Sequence, residues 1–245
     1  MKPITLESIK ANRDFKLLIN ASNDNLGHKG YTEHGLRHTN FTSKTSANIL
    51  AALGYDERTI ELAAIAGWLH DVGNAVNRYN HGPTGAALVF ALLVKLGMDM
   101  EEIIAIIGAI GNHEEQTGIP VGPVSAAVII ADKSDTHRTR VCAGVVRNNR
   151  SDDIHDRVNL SVLGNSVRVD KKNKIIRLCI NMNETSAPME YLQIYMSRMV
   201  MCEKAAAFLG CVFELVINGV VINHHKPAPK NIAVLACEKE VSEEG

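Results

Sequence analysis

The feature that most constrains the fold is a succession of apolar segments with helical spacing between residues 32 and 140. Several segments begin with a recognisable helix signal: Asp56 and Asp99 precede acidic first turns, and Pro83 suits the start of a helix. A helical segment also precedes them, and the polar run from Ser22 to Asn25 is expected to end it. The pattern predicts helices over residues 4–20, 32–53, 56–69, 83–96, 99–112 and 124–140.

The pattern changes after residue 148. From Val158 to Met182 apolar and polar residues alternate with a period of two, which is typical of strands, and residues 170–173 suit a hairpin turn. The segments that follow are predicted as a helix over residues 189–209, a strand over residues 211–219 and a short strand in the tail beyond residue 226. We therefore predict a mainly α protein, with an all-helical domain over residues 1–147 and a small α+β unit with two or three strands over residues 148–245.

Composition argues against several classes of protein. The 245 residues are 46% hydrophobic with a formal net charge of −1, so no excess of charge indicates a nucleic-acid polymer or an anionic membrane as partner. No apolar run approaches the roughly 20 residues that span a bilayer, and residues 1–16 lack the apolar stretch of a secretory signal. The 5 cysteines are scattered without a CxxC pair, which argues against a disulfide scaffold and a zinc knuckle. We expect a cytoplasmic protein, and assembly into a homo-oligomer stays open.

Residues that can bind a metal ion or move a proton recur along the helical part of the chain. The doublet of His70 and Asp71 ends an apolar segment, and Asp132 follows the apolar run AVIIA. Because an unpaired buried carboxylate is costly, both aspartates need a partner, and a divalent ion would provide it. Histidines that could share this ion are His34, His38, His81 and His113.

Other polar residues in this region have a plainer interpretation. His38 lies one helical turn after His34 and could face the same site, but a lone helical histidine is more often a surface residue, so we leave it outside the predicted ligand set. Arg138 and Arg140 are interpreted as exposed surface charges. Glu114 could orient a ligand or act as a general acid, and a surface position is an equal alternative.

These residues, in this order, resemble the HD superfamily of metal-dependent phosphohydrolases. The matching positions are His34 in EHGLRH, the doublet His70 and Asp71 in WLHDVGN, and Asp132 in IIADKSD. The resemblance covers roughly residues 31–140. It implies an all-α core, a divalent metal ion and hydrolysis of a phosphorylated substrate.

Two further segments refine the resemblance. His81 in NHGPTGAAL and His113 in GNHEEQTGIP match the positions of additional ligands in the branches with two metal ions. The chain is most similar to the HD-type symmetrical dinucleoside tetraphosphatases and less similar to the HD-GYP phosphodiesterases, because Asn112 replaces a histidine and TGIP lacks the tyrosine. The implied ligands are His34, His70, Asp71, His81, His113 and Asp132, holding one or two ions of iron, manganese, magnesium or zinc.

The resemblance also implies roles for individual residues. Asp71 is expected to be catalytic through a bridging position, and Lys133 to contact a phosphate oxygen during catalysis. Arg37 and Asn112 are expected to bind the substrate, which is predicted to be a small phosphorylated molecule such as a nucleotide or dinucleotide. Two alternatives stay open: a di-iron oxygenase with the same ligand order, and a nucleotide-binding sensor without catalysis.

Overall fold

The computed structural model describes residues 3–29, 31, 33–141 and 154–223. The helices of these residues are α1 (Leu6–Ala11), α2 (Arg13–His28), α3 (Leu36–Leu53), α4 (Glu57–Leu69), α5 (His81–Leu96), α6 (Met100–Gly111), α7 (Pro123–Lys133), α8 (Ile154–Ser161) and α9 (Pro188–Phe208). The strands are β1 (Val162–Asp170), β2 (Ile175–Met182), β3 (Val212–Ile217) and β4 (Val220–Val221). The protein is therefore mainly α, with a small sheet after the helical part, as the sequence predicts. The predicted domain boundary at residues 147 and 148 and the predicted tail strand lie outside the described residues.

The predicted helix signals act where expected. The carboxylate of Asp56 accepts a hydrogen bond from the backbone amide of Thr59, and Asp99 accepts one from Glu101. These side chains satisfy amides at the first turns of α4 and α6 that have no partner within their own helix. The starts of these two helices could therefore be predicted to within one residue.

The polar run from Ser22 to Asn25 does not end α2, which continues to His28. Ser22 donates a hydrogen bond to the carbonyl of Val72, and the amide of Asn25 donates to the carbonyls of Asn74 and Ala75. The run is polar because it supports a turn distant in sequence, so the local signal for a helix end was misleading.

The predicted helix over residues 124–140 is also shorter than expected. It ends at Lys133, and the chain forms a short 3-10 turn at Arg138–Arg140. Asp135 lies in the segment between them, where its carboxylate takes part in buried ion pairs with Arg37 and Arg140. Buried charges of this kind are stable when they are paired, and these pairs hold the segment outside a helix.

The sheet has the order β1–β2–β3–β4. Strands β1 and β2 form an antiparallel hairpin, and the carboxylate of Asp170 accepts a hydrogen bond from Asn173 in its turn. Strands β2 and β3 are parallel, with α9 as the crossover between them, and β4 adds two residues antiparallel to β3. The sheet of the described residues therefore has four strands, where two or three were predicted for the whole unit.

One hydrophobic core runs through the helical part and the sheet. Buried residues from Ile9 in α1 to Ile217 in β3 belong to a single cluster. Helix α7 lies inside this core, in contact with α3, α4 and α9, and residues 124–131 are all buried. The core thus fixes the helix that carries Asp132. Among the described residues, no helix is both long and apolar enough to cross a membrane.

Candidate metal centre

The His-Asp doublet lies at the end of α4, whose last eight residues are all buried. His70 is fully buried, and its Nδ1 lies 2.9 Å from the carbonyl oxygen of Gly67. Asp71 follows in the turn to the 3-10 helix Val72–Ala75, where the amide of Asn74 donates a hydrogen bond to its Oδ1. The apolar helix therefore holds both side chains in fixed directions.

Four buried imidazoles, that of His70 among them, lie together in two pairs. The Nε2 atoms of His38 and His70 are 3.1 Å apart, and those of His81 and His113 are 2.9 Å apart. His38 comes from the first turns of α3, His81 begins α5, and His113 follows the end of α6. The chain thus brings the four rings together from separate helices.

The opposite nitrogen of each ring has an oxygen partner. The Nδ1 atom of His38 lies 2.6 Å from the carboxylate of Asp135. The Nδ1 atom of His81 lies 2.9 Å from the carbonyl oxygen of Arg78, and that of His113 lies 2.6 Å from the carbonyl oxygen of Ile110. Because a carbonyl or carboxylate oxygen accepts a hydrogen bond, the ring proton belongs on Nδ1. The Nε2 lone pairs are then directed at the centre of the cluster, which is how histidines are oriented at metal sites.

The carboxylate of Asp71 lies between the two pairs. Its Oδ2 is 3.5 Å from Nε2 of His38 and 3.4 Å from that of His70, whereas its Oδ1 is 3.2 Å from Nε2 of His81. Oδ1 is also 3.6 Å from Nε2 of His113. One oxygen of Asp71 therefore serves each pair of imidazoles.

Asp132, in the last turn of α7, adds a second carboxylate to the pair of His38 and His70. Its Oδ1 is 3.4 Å from Nε2 of His38 and 3.5 Å from that of His70. Its other oxygen, Oδ2, lies 2.6 Å from Nζ of Lys133. The two oxygens of Asp132 thus face different partners.

Burial and the two carboxylates together set the protonation of the cluster. Burial opposes a charge on His70, but Asp71 and Asp132 outweigh it and raise the pKa of His70 to about 10. Burial lowers the pKa of His113 to about 4, so this ring is neutral at pH 7. Burial opposes ionisation of Asp71, yet the imidazoles, with His70 the strongest, hold its pKa well below the usual range. The cluster therefore favours positive charge at its centre.

Neutral imidazoles and ionised carboxylates are suitable ligands for divalent transition-metal ions. Three sets of side chains each offer donor atoms that all lie within 4.8 Å of one another. The sets are His38, His70 and Asp71; His70, His113 and Asp132; and Asp71, His81 and His113. Two Nε2 atoms about 3 Å apart need a proton or a metal ion between them, and protonated His70 supplies the proton for its pair with His38 in the metal-free protein. The cluster therefore has the donor atoms of a site for divalent metal ions.

The His–Asp cluster borders a pocket with a volume of about 390 Å³, to whose lining Asp71, His81, His113 and Asp132 contribute. Four basic side chains line it: Arg78, Lys133, Arg140 and Arg198. Four acidic side chains also line it: Asp71, Glu114, Glu115 and Asp132. Tyr31 and Tyr79 lie at the exposed part of the pocket. The side chains are thus balanced in charge, and any bound divalent ion would make the pocket positive.

The turn after the doublet packs against the start of α5 at Gly73. A Cβ atom on this glycine would lie 1.9 Å from the carbonyl oxygen of His81. The absence of a side chain is therefore what lets the segment that carries Asp71 approach the segment that carries His81.

The structure brings together five of the six predicted ligands and places His38 beside them. His34 is in none of the three donor groups, although it lines the pocket and its ring centroid is 5.4 Å from that of His38. Helix α3 begins at Leu36, so His34 precedes the helix and its Nε2 lies 3.0 Å from the guanidinium of Arg140. His38 is in the first turn and faces inward with no exposed surface. The spacing of the two histidines was a sequence signal for His38, but the sequence did not locate the start of α3.

The predicted substrate-binding residues have different positions. Lys133 lines the pocket, whereas Arg37 and Asn112 are not among its lining residues. Arg37 forms a two-pronged ion pair with Asp135, at 3.1 and 2.8 Å, and thereby supports the partner of His38. The amide of Asn112 donates to the carbonyl of Gly108 within α6. Substrate binding by Arg37 and Asn112 stays a prediction without support from their positions.

Arg140 was interpreted as an exposed surface charge, and the structure contradicts this. Its side chain is 5% exposed, lines the pocket and donates to the carbonyl of Asp135 at 2.7 Å. Arg78 and Arg198 were not singled out from the sequence, because the loops and the helix that carry them have no motif. Their contribution to the site depends on tertiary packing.

Comparisons with known proteins add little to this geometry. No protein-family model matches the chain, and no curated protein matches it. Two chains of known structure match, and one is described as a predicted HD superfamily hydrolase from an uncultured Thermotogales bacterium. It is 17% identical, with a TM-score of 0.42, over 60% of this chain and 82% of that one. At this level of similarity the match carries no conclusion about function, which is therefore argued from the site itself.

Proposed function

We propose that this protein is a metal-dependent phosphohydrolase that acts on a small phosphorylated molecule. The observation that carries the proposal is the position of Asp71. Its carboxylate lies between two pairs of imidazoles, beside a pocket that four basic side chains line. Metal-dependent phosphoryl transfer needs positioned ions, charge neutralisation and little else from the protein. This pocket offers those elements together.

The donor atoms support two ions. His38, His70, Oδ2 of Asp71 and Oδ1 of Asp132 would hold one ion, and His81, His113 and Oδ1 of Asp71 would hold the other. When bound, such ions supply a water with lowered pKa and neutralise charge on the phosphoryl oxygens. The number and identity of the ions are part of the proposal.

Lys133 has the position expected for a phosphate-binding cation. Its Nζ lies 2.6 Å from Oδ2 of Asp132 and 3.0 Å from Oε1 of Glu115, and the side chain is nearly buried. Since the other oxygen of Asp132 faces the imidazoles, Lys133 lies next to the proposed reaction centre without competing for the same donor atom. Its ammonium group can then orient and neutralise a phosphoryl oxygen.

Aromatic groups in the pocket favour a nucleotide among phosphorylated molecules. The guanidinium of Arg78 lies 5.6 Å from the centre of the Tyr31 ring, and Tyr79 is 81% exposed beside them. Flat cationic and aromatic surfaces of this kind can stack with a nucleobase. A free nucleotide or dinucleotide is therefore the proposed substrate, in preference to a sugar phosphate.

The same ligand set would also serve a di-iron oxygenase. Because the basic and acidic side chains of the pocket balance, bound divalent ions would make it positive, which favours an anionic substrate and hence the hydrolase. The test is to load the protein anaerobically with iron or manganese and assay phosphate release from mononucleotides, dinucleotides and sugar phosphates. We expect release from a nucleotide that chelation abolishes. Oxygen consumption without phosphate release from any compound would contradict the proposal.

A further inference from the structure

Helix α9, the crossover helix of the C-terminal sheet, contributes a side chain to the pocket that the His–Asp cluster borders. It packs against α7, the helix that ends with Asp132 and Lys133. Arg198 extends from α9 into the lining of the pocket beside these two residues. The helical part of the chain thus does not form the pocket by itself.

The guanidinium of Arg198 is held in a fixed position. It lies 4.7 Å from the centre of the Tyr195 ring, and its Nε is 3.2 Å from Oε1 of Glu115. Tyr195 is itself buried, and its hydroxyl donates a hydrogen bond to Oδ1 of Asn159 in α8. An arginine that is oriented by an aromatic ring and by one Nε contact keeps its terminal nitrogens available for an anion.

Glu115 is shared between two cations. The same oxygen, Oε1, lies 3.0 Å from Nζ of Lys133 and 3.2 Å from Nε of Arg198. Lys133 is also paired with Asp132, whose second oxygen faces the imidazoles. If Asp132 binds a divalent ion, its negative charge is compensated by that ion. Glu115 is then the carboxylate that balances both the ammonium of Lys133 and the guanidinium of Arg198. That local excess of positive charge fits a phosphate group.

We propose that Arg198 is a substrate-binding residue that, together with Lys133, contacts a phosphate group of the substrate. The inference rests on the proposed phosphohydrolase function and adds that the C-terminal α+β unit takes part in selecting the substrate. Arginine suits this task because its planar fork can offer two parallel N–H donors to one phosphate. The role of the α+β unit is thereby a direct one, through contact with the substrate.

The test compares Arg198→Met and Arg198→Lys with the unchanged protein, each loaded with Mn²⁺ and freed of excess ion. The probe is inorganic phosphate, whose binding is measured by calorimetry without any need for turnover. Arg157→Met is the matched control, because Arg157 lies in the same unit and pairs with Glu190 outside the pocket. Bound manganese and Tm are measured for each variant, so that a loss of ions or of fold is detected separately.

We expect Arg198→Met to weaken phosphate binding about tenfold or more, Arg198→Lys to recover part of it, and Arg157→Met to leave it unchanged. Equal phosphate binding by Arg198→Met and the unchanged protein would overturn the inference and leave the proposed function intact. An equal loss in Arg157→Met would overturn it as well. Absence of phosphate binding to the unchanged protein would also overturn it, whereas the proposed function is decided separately by phosphate release from nucleotides.

Discussion

At the scale of single residues, the direction of the ring nitrogens is the most informative feature of the site. The sequence does not show in which direction the two ring nitrogens of a histidine point. In the fold, the Nδ1 atom of each of four rings has an oxygen partner. These partners are the carboxylate of Asp135 and the carbonyls of Gly67, Arg78 and Ile110. The direction of the Nε2 lone pairs follows from these contacts, and a metal-binding centre follows from that direction.

Asp71 is the residue whose loss should affect both imidazole pairs. We expect Asp71→Asn to reduce bound metal and to lower phosphate release by more than about 100-fold, since even residues that only support a ligand change affinity or activity by about 10–100-fold. Elemental analysis and steady-state kinetics measure the effect, and circular dichroism checks the helices. Asp24→Asn, at an exposed position of α2, is the control. Full activity in Asp71→Asn would contradict the shared role.

Asp135 should tune the metal affinity through His38. Its Oδ2 lies 2.6 Å from Nδ1 of that ring, so Asp135→Asn removes the charge that supports the ring. We expect a metal affinity lower by about 10–100-fold, measured by competition with a chelator. Glu33→Gln is a matched control, because it removes a carboxylate that pairs with the same Arg37 while Asp135, the partner of His38 Nδ1, is kept. The idea fails if both variants bind metal equally well.

The protonation of His70 predicts a pH dependence for the metal-free protein. Its pKa rises from 6.5 to about 10 on folding, so its stabilising effect is complete below pH 6.5 and is lost as pH approaches 10. We expect the Tm of the metal-free protein, prepared with a chelator, to fall between pH 7 and pH 10. The fall should be smaller in His70→Asn. Thermal unfolding at several pH values measures this, with His28→Asn, an exposed position, as control. Parallel profiles for His70→Asn and the unchanged protein would refute it.

At the scale of elements, the sequence predicted most of the helical part because α4, α5 and α6 carry their own signals. Caps such as Asp56 and Asp99 act within a few residues and can be recognised locally. The end of α2 and the start of α3 could not be predicted, since long-range contacts of Ser22 and Asn25 decide the former and no capping side chain marks the latter. His38 was left outside the predicted ligand set for another reason, namely that a lone helical histidine is more often a surface residue.

The packing of the doublet turn against α5 gives a prediction at this scale. Gly73→Ala would force Cβ into the carbonyl of His81, so we expect a loss of about 1–3 kcal/mol in unfolding free energy. The corresponding fall in Tm is about 2–12 °C for a chain of this size, together with reduced metal content. Gly122→Ala is the control, because a Cβ there meets no atom within 4 Å. Equal effects of the two changes would show that the close approach is unimportant.

At the scale of the whole molecule, the shared core bears on the predicted division into two domains. Buried side chains of the helices and of the sheet belong to one cluster, and α7 contacts both parts. We therefore expect the full chain to unfold in a single calorimetric transition, in which the calorimetric and van't Hoff enthalpies agree. Two separate transitions would show that the parts are independent domains. Among the basic residues of the pocket, Lys133 was predicted from the sequence, whereas Arg198 was not, because it reaches the pocket through the packing of α9 against α7.

The parallel pairing of β2 and β3 also has a consequence for the order of assembly. Helices α3 and α4, like α5 and α6, pack against their neighbours in sequence, whereas β2 and β3 pair across all of residues 183–211. Contacts between distant residues form slowly, because a long loop must close before they give any stabilisation. Asp71, His81 and His113 lie on segments that are neighbours in sequence, so a refolding chain should gain affinity for an ion at these three residues before its affinity for phosphate. The delay between the two events would measure how long the crossover helix takes to deliver Arg198 to the pocket.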